Sequence, residues 1–87
     1  MNNIFKAFKA CKTEEEFEQF MQTTFTSKEL EMMDERWRIF NSLAKGTPHR
    51  SIASENECSI ATVTRGSKAY QANKNTVDKY LKIIFND

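Results

Sequence analysis

The side chains best suited to contacting another molecule lie in one segment, residues 49–68. Residues 59–64 read Ser-Ile-Ala-Thr-Val-Thr, and Arg50, Arg65 and Lys68 flank them. Hydroxyls can hydrogen-bond base edges or phosphates, small apolar groups can contact thymine methyls, and the cations can pair with phosphate. The composition therefore favours a helix that reads DNA, although an ordinary helical corner with surface hydroxyls would show the same residues.

The signals around this segment predict two closely spaced helices. Thr47 as N-cap and Pro48 at the first helical position predict a helix start, because the hydroxyl accepts an orphan amide hydrogen bond and proline has no amide hydrogen. After a break near Glu57, Ser59 is a second N-cap and Ile60 begins a second helix. This is the spacing of a helix-turn-helix motif, whose second helix presents its N-terminal side chains to the major groove.

The interior of the predicted motif has suitable residues at three positions and less suitable ones at two. Ala53 is small enough for the second helix to approach closely, and Ile52 and Val63 would meet between the helices. The turn position that prefers glycine, because it commonly has a positive φ, is Glu57, at a cost on the order of 1 kcal/mol. Asn56 stands where an apolar side chain would pack better.

No residue pattern predicts catalysis or a metal site. The only histidine, His49, has no carboxylate pattern near it, and Cys11 and Cys58 lie far apart in the sequence. No glycine-rich loop that could cradle phosphates occurs. We therefore predict a protein that is not an enzyme, with no catalytic residue and no metal ligand.

The composition indicates one small all-α domain, residues 1–87, with 39% hydrophobic residues, two glycines and one proline. No apolar run reaches the roughly 20 residues of a membrane helix, so we expect no membrane partner and a cytoplasmic location. Residues 1–35 hold four Lys/Arg and eight Asp/Glu, whereas residues 36–87 hold nine and four. The formal charge of +1 therefore conceals a basic C-terminal part, which suits phosphate binding.

Capping signals divide the chain into about six helices. Capping-box patterns predict helix starts at Thr13 and Thr26, and Gly46 predicts the end of a long helix. Asn75 or Thr76 would cap the last helix, whose apolar residues follow at i, i+4, i+7 and i+8: Val77, Leu81, Ile84 and Phe85. We expect residues 1–45 to form dimerisation helices, residues 47–72 the helix-turn-helix, and residues 75–86 a C-terminal core helix.

The long helix predicted before Gly46 is apolar on two sides. Ile39 and Phe40, adjacent in sequence, belong to different apolar stripes. In a chain that buries only roughly 60% of its unfolded surface, such a helix favours packing against a second copy. The alternative is a compact monomeric bundle that covers both sides.

The motif segments resemble the Trp repressor family. The resemblance rests on Ile-Ala-Thr-Val-Thr-Arg-Gly-Ser at 60–67, His-Arg-Ser-Ile at 49–52 and Glu-Arg-Trp-Arg-Ile-Phe at 35–40, and it covers about residues 25–85. It implies an intertwined all-helical homodimer that binds a palindromic double-stranded DNA operator, most often as a repressor. The DNA-binding residues carried over or flanking the reading helix are His49, Arg50, Ser59, Ile60, Ala61, Thr62, Thr64 and Lys68. For His49 the alternative is an exposed histidine without a special role.

The same resemblance implies a pocket for a small corepressor, L-tryptophan or a related molecule, and no other cofactor. In tryptophan-binding members two arginines sandwich the indole and a threonine helps hold the carboxylate; Arg36, Arg65 and Thr26 match them. Ala69 replaces a serine and Phe40 a smaller aliphatic residue, so Phe40 could instead fill the pocket and make the protein independent of ligand. The implied ligand-binding residues are Thr26, Arg36, Phe40, Arg65, Gly66 and Ala69.

A second class of function remains open at the level of sequence. A protein-interaction or structural dimer could keep this fold without specific DNA binding, and the low net charge and the Glu57 turn would suit it. DNA binding through phosphates would weaken steeply with salt, whereas this alternative would not.

Overall fold

In the computed structural model, residues 3–85 are described and fold into six α-helices. The helices are α1 Ile4–Ala10, α2 Glu14–Thr24, α3 Ser27–Ala44, α4 His49–Glu55, α5 Ile60–Ala72 and α6 Lys74–Ile84. Residues 3–85 contain no strand, which confirms the all-α prediction. The predicted regions 1–45 and 75–86 extend to residues 1, 2 and 86, which lie outside the described residues.

The chain divides into two compact units, Met1–Glu31 and Met32–Asp87, and the boundary falls inside α3. None of the helices formed by residues 3–85 combines the length and apolar character needed to cross a bilayer.

Local hydrogen bonds set the helix starts in the first unit as predicted. The Thr13 hydroxyl accepts from the Glu16 amide at 3.1 Å and caps α2. Thr26 and Glu29 form a complete capping box: the Thr26 hydroxyl accepts from the Glu29 amide at 3.1 Å, and the Thr26 amide donates to the Glu29 carboxylate at 2.9 Å. Both starts depend only on residues three positions apart.

Aromatic side chains hold α1 and α2 together. The ring of Phe8 lies 6.4 Å from that of Phe5, 5.8 Å from Phe17 and 5.1 Å from Phe20, measured between centroids. Even so, none of residues 3–31 is buried, and Phe5 and Phe17 are each 41% exposed. Residues 3–31 of a single chain therefore have contacts between aromatic rings but no enclosed core.

The end of α3 explains one prediction that was wrong. Gly46, at φ 80°, donates to the Leu43 carbonyl, and the Thr47 amide donates to the Ser42 carbonyl, both at 3.0 Å. These two bonds form a Schellman motif, which uses Thr47 to close α3. Thr47 is thus the last residue of the closing turn of α3 and not the N-cap of α4. Pro48 after it is extended, with φ −61° and ψ 144°, and takes the capping position without a side-chain cap, so α4 begins one residue later than predicted, at His49.

Two apolar clusters form the core of the second unit. The first, cluster 1, joins α3, α4 and α5 through Ile39, Ile52, Ala53 and Val63. The second, cluster 2, joins α3, α5 and α6 through Phe40, Tyr70, Val77 and Leu81. Ile39 and Phe40 thus face different clusters, which confirms the two-sided pattern of α3, and around these two residues the chain itself covers both sides.

The start of α6 also differs from the prediction. The helix begins at Lys74 after Asn73, not after Asn75 or Thr76. Asp78 accepts from the Tyr70 hydroxyl at 2.8 Å and from the Lys74 ammonium at 3.0 Å, which holds Lys74 in the first turn. The Lys74 hydrogen bond lowers the pKa of Asp78, and the same bond raises the pKa of Lys74.

The outer side of α6 remains apolar. Val77 and Leu81 are buried as predicted, but Ile84 is exposed and shares a stripe with Tyr80 and Ile83. These three positions follow at i, i+3 and i+4, so they form one face of the helix beside the buried one. Because Ile83 is 66% exposed, this apolar face is open to solvent in a single chain.

Replacing Glu57 with glycine tests the cost of the left-handed turn residue. Glu57 has φ 51°, as predicted for this position, and glycine adopts such a conformation without strain. We expect Glu57→Gly to raise the free energy of unfolding by about 1 kcal/mol in urea denaturation. Glu57→Gln removes the charge alone and should give no such gain; an equal gain from it would attribute the effect to charge.

Candidate nucleic-acid interface and ligand cavity

The helices α4 and α5, joined by residues 56–59, form the predicted helix-turn-helix. Ile52 and Val63 are completely buried and meet in cluster 1, and Ala53 packs beside them. Contact between two fully buried β-branched side chains fixes the angle and spacing of the helices. The prediction for the interior of the motif is therefore confirmed.

Polar contacts hold the turn where sequence reasoning saw a packing weakness. The Asn56 side-chain amide donates to the Ile52 carbonyl at 2.9 Å and closes the last turn of α4. Its oxygen accepts from Nε of Arg38 at 3.4 Å, which ties the turn to α3. Asparagine suits a helix C-terminus, and this local preference was the one signal in the sequence for its role.

The N-terminus of α5 has the hydrogen bonds predicted for it. The Ser59 hydroxyl accepts from the Thr62 amide at 3.1 Å and lies 3.0 Å from the Thr62 hydroxyl. The remaining unpaired amides and the helix dipole give this end a partial positive charge, which attracts phosphate.

Most of the predicted DNA-binding residues lie at or near the starts of α4 and α5, whereas Lys68 lies in the second half of α5. On α5, the buried positions Val63, Gly66 and Tyr70 face the core. The opposite side of the same helix is exposed and carries Ile60, Ala61, Thr64 and Lys68. Ser59 is exposed and Thr62 is half-buried, while on the first turn of α4 Arg50 is exposed and His49 half-buried. Ile60, a large apolar residue on this side of α5, is 53% exposed.

A cavity of about 170 Å³ lies between α3 and α5. From α3 it is lined by Met32, Glu35, Arg36 and Ile39, and from α5 by Thr62, Arg65 and Gly66. Gly66 allows the helices to approach, because a Cβ there would lie 3.1 Å from Cγ2 of Ile39. The cavity therefore depends on the absence of a side chain at this position.

The two arginines of the cavity are each held by an uncharged group. Cζ of Arg36 lies 5.7 Å from the centroid of the Phe40 ring, a cation–π distance. Nη2 of Arg65 donates to the Thr62 hydroxyl at 3.4 Å.

The thiol of Cys58, in the turn between α4 and α5, has a raised pKa. Burial and, to a smaller extent, the Glu35 carboxylate raise the pKa of the Cys58 thiol, so this cysteine stays protonated.

The structure brings some of the implied ligand residues together and places others elsewhere. Arg36, Arg65 and Gly66 line the cavity. Phe40 belongs to cluster 2 and Ala69 packs against that cluster, while Thr26 lies in the first unit as the cap of α3. Sequence reasoning did not assign the other lining residues to the ligand site. Three of them, Met32, Glu35 and Ile39, lie four and one residues before Arg36 and three after it, and this helical spacing was the available signal.

The fold and this site define a helix-turn-helix protein with a cavity between α3 and α5, the second helix of the motif. The family model described as Trp repressor protein matches residues 1–84, so the chain belongs to the Trp repressor family. This membership makes it a DNA-binding transcriptional regulator of the helix-turn-helix type, and members of the family are regulators and not enzymes. Comparison with curated proteins and with solved structures gave no match.

Filling the space at Gly66 tests the close approach of α3 and α5. Gly66→Val would press new methyl groups against the buried Ile39, and we expect a loss of about 1–3 kcal/mol of unfolding free energy in urea denaturation. Ala61→Val places the same side chain on the exposed side of α5 and should cost only a few tenths of a kcal/mol. Equal losses in the two variants would contradict a packing constraint at Gly66.

Proposed function

We propose that this protein is a sequence-specific DNA-binding repressor that acts as a homodimer on a palindromic operator. The observation that carries the proposal is the arrangement of α5, which is anchored by Val63 on one side and leaves Ile60 and Thr64 exposed on the other. A rigid helix with an exposed N-terminal half is what insertion into the major groove requires.

The exposed residues can make different kinds of contact with DNA, according to their chemistry. Ile60 and Ala61 can contact thymine methyl groups, and Thr64 can hydrogen-bond a base edge. Arg50 and Lys68 can pair with DNA phosphates on either side of the groove. Ser59 and Thr62 cap the N-terminus of α5, whose partial positive charge can lie against a phosphate of the DNA backbone. His49 precedes Arg50 at the start of α4 and would contact a phosphate of the DNA backbone as Arg50 does.

We further propose that a small ligand in the α3–α5 cavity, L-tryptophan or a related molecule, controls DNA binding. Arg36 and Arg65 suit an anionic group, and Phe40 supports Arg36 from the core side. Arg65 also contacts Thr62, whose hydroxyl lies beside that of Ser59 at the start of α5. A ligand that binds Arg65 would therefore act directly on the end of the reading helix. The roles of Thr26 and Ala69 in ligand binding stay predictions from the family resemblance.

A second copy of the chain would cover the apolar surface that one copy leaves open. Residues 3–31 have no buried side chain, and α6 exposes Tyr80, Ile83 and Ile84. Exposure of a contiguous apolar face is unfavourable for a monomer and typical of an interface between subunits. A homodimer also presents two reading helices, which a palindromic site requires.

Substitution of Thr64 tests base recognition. On duplex DNA obtained by selection from a random library, we expect Thr64→Ala to weaken binding about tenfold in fluorescence anisotropy, because one base contact is lost. Thr76→Ala, the same change on an exposed position of α6, should leave the affinity unchanged. Selection without an enriched sequence, or affinity that does not depend on salt, would contradict the proposal and favour a structural dimer.

Substitution of Ile83 tests the homodimer. A lysine on the open face of α6 would place a charge in the subunit interface, so we expect Ile83→Lys to shift the mass in light scattering from two chains to one 10.2-kDa chain. Gln71→Lys adds the same charge at an exposed polar position and should stay dimeric. A wild-type protein with the mass of one chain would contradict the dimer; circular dichroism separates dissociation of Ile83→Lys from its unfolding.

A further inference from the structure

A second cleft of the molecule shares no lining residue with the α3–α5 cavity. It has a volume of about 300 Å³, which is at the lower end of the range of about 300–1,000 Å³ that small-molecule sites occupy. Side chains from α3, from the end of α4 with the turn after it, and from the end of α6 line it: Arg38, Asn41, Ser42, Glu55, Asn56 and Phe85. The cleft therefore has room for one small molecule.

The two charged groups of this cleft leave hydrogen-bonding capacity unused. Nε of Arg38 donates to the Asn56 side-chain oxygen at 3.4 Å, and both Nη groups have no partner among residues 3–85. Within the same residues the Glu55 carboxylate accepts no hydrogen bond, and neither Arg38 nor Glu55 belongs to an ion pair. The cleft thus presents a donor-only group and an acceptor-only group that do not neutralise each other.

Phe85 adds an aromatic surface to these polar groups. Its ring is half-buried and packs against cluster 2, so the core holds the ring while it also lines the cleft. A ring held in this way suits stacking by a flat heteroaromatic molecule. The half-buried side-chain amide of Asn41 has no partner among residues 3–85 and can donate or accept at the edge of such a molecule.

The charged groups discriminate among the common nucleobases. Guanine has two adjacent donors on one edge, N1–H and the N2 amino group, and two adjacent acceptors on another edge, O6 and N7. The two oxygens of a carboxylate match the donors, and a guanidinium matches the acceptors, which is the commonest specific contact of arginine with a base. Adenine, cytosine, thymine and uracil each lack at least one of these pairs, so Glu55 and Arg38 together favour guanine.

We propose that this cleft binds a guanine base, with Glu55 accepting from N1–H and the N2 amino group, Arg38 donating to O6 and N7, and Phe85 stacked on the ring. The site does not depend on the ligand control proposed for the α3–α5 cavity. Asn56 closes α4 at the turn and also lines the cleft, so the base would contact the helix-turn-helix itself. A free nucleoside and a guanine in a single strand present the same edges, and the experiment distinguishes these two sources.

Nucleosides that differ by one hydrogen-bonding group test this site. Guanosine would be titrated into the isotope-labelled full chain and followed in NMR spectra through the side-chain amide signals of Asn41 and Asn56. We expect guanosine to shift both signals and to bind roughly tenfold more tightly than inosine, which lacks the N2 amino group that Glu55 would accept from. Glu55→Gln should abolish that preference, whereas Glu57→Gln, the same charge change at an exposed position outside the cleft, should preserve it.

Two results with wild-type protein would overturn the site, and they hold even where a variant fails to fold. One is guanosine that leaves the Asn41 and Asn56 signals unshifted, and the other is equal binding of guanosine and inosine. An unchanged preference in Glu55→Gln would overturn the role of Glu55. A short thymine strand with a single guanine, compared with thymine alone, identifies the source: tighter binding than guanosine assigns the cleft to a base in a single strand, and weaker binding assigns it to the free nucleoside.

Discussion

The close approach of α5 to α3 at Gly66 and Ile39 is the contact that places α5 beside both the core and the cavity. A Cβ at Gly66 would lie 3.1 Å from Cγ2 of Ile39, so a side chain there would require Ile39 to shift. Ile39 belongs to cluster 1 and also lines the cavity. One contact therefore holds α5 against the core and forms part of the wall of the cavity.

The acidic and basic parts of the chain also differ in how much apolar surface they bury. In the acidic first part, none of the described residues 3–35 is buried in a single copy, while the basic second part has two apolar clusters of its own. A small chain can gain stability by sharing a core between copies, because a short chain alone buries a smaller fraction of its surface than a long one. Dimerisation would thus supply stability and, at the same time, the two-fold arrangement of reading helices that a palindrome requires.

The turn of the helix-turn-helix shows how one unfavourable residue is tolerated. Glu57 adopts φ 51°, which costs a non-glycine residue on the order of 1 kcal/mol. Asn56 closes α4 and bonds to Arg38, and the Cys58 amide donates to the Ala53 carbonyl at 3.0 Å. These hydrogen bonds hold the backbone on both sides of Glu57, and the packing of the two helices offsets the cost of its conformation.

The sequence by itself determined the helix starts at Thr13, Thr26 and Ser59, the end at Gly46, and the helix-turn-helix between them. Capping bonds join residues three or four positions apart, so they can be recognised without knowing the rest of the fold. The interior pair Ile52 and Val63 was predictable for the same reason, since the turn length and the helical period place them together.

Only the tertiary structure decided which way the side chains of α3 and α6 face. Arg36 lines the cavity beside Glu35, Phe40 turns into cluster 2, and Ile84 lies outside the buried stripe. Thr47 was an adequate cap in sequence, but the extended backbone of Pro48 places the start of α4 one residue later, at His49. Periodicity assigns residues to a helix face, whereas the identity of the neighbour on that face depends on contacts between residues distant in the chain, which local patterns do not contain.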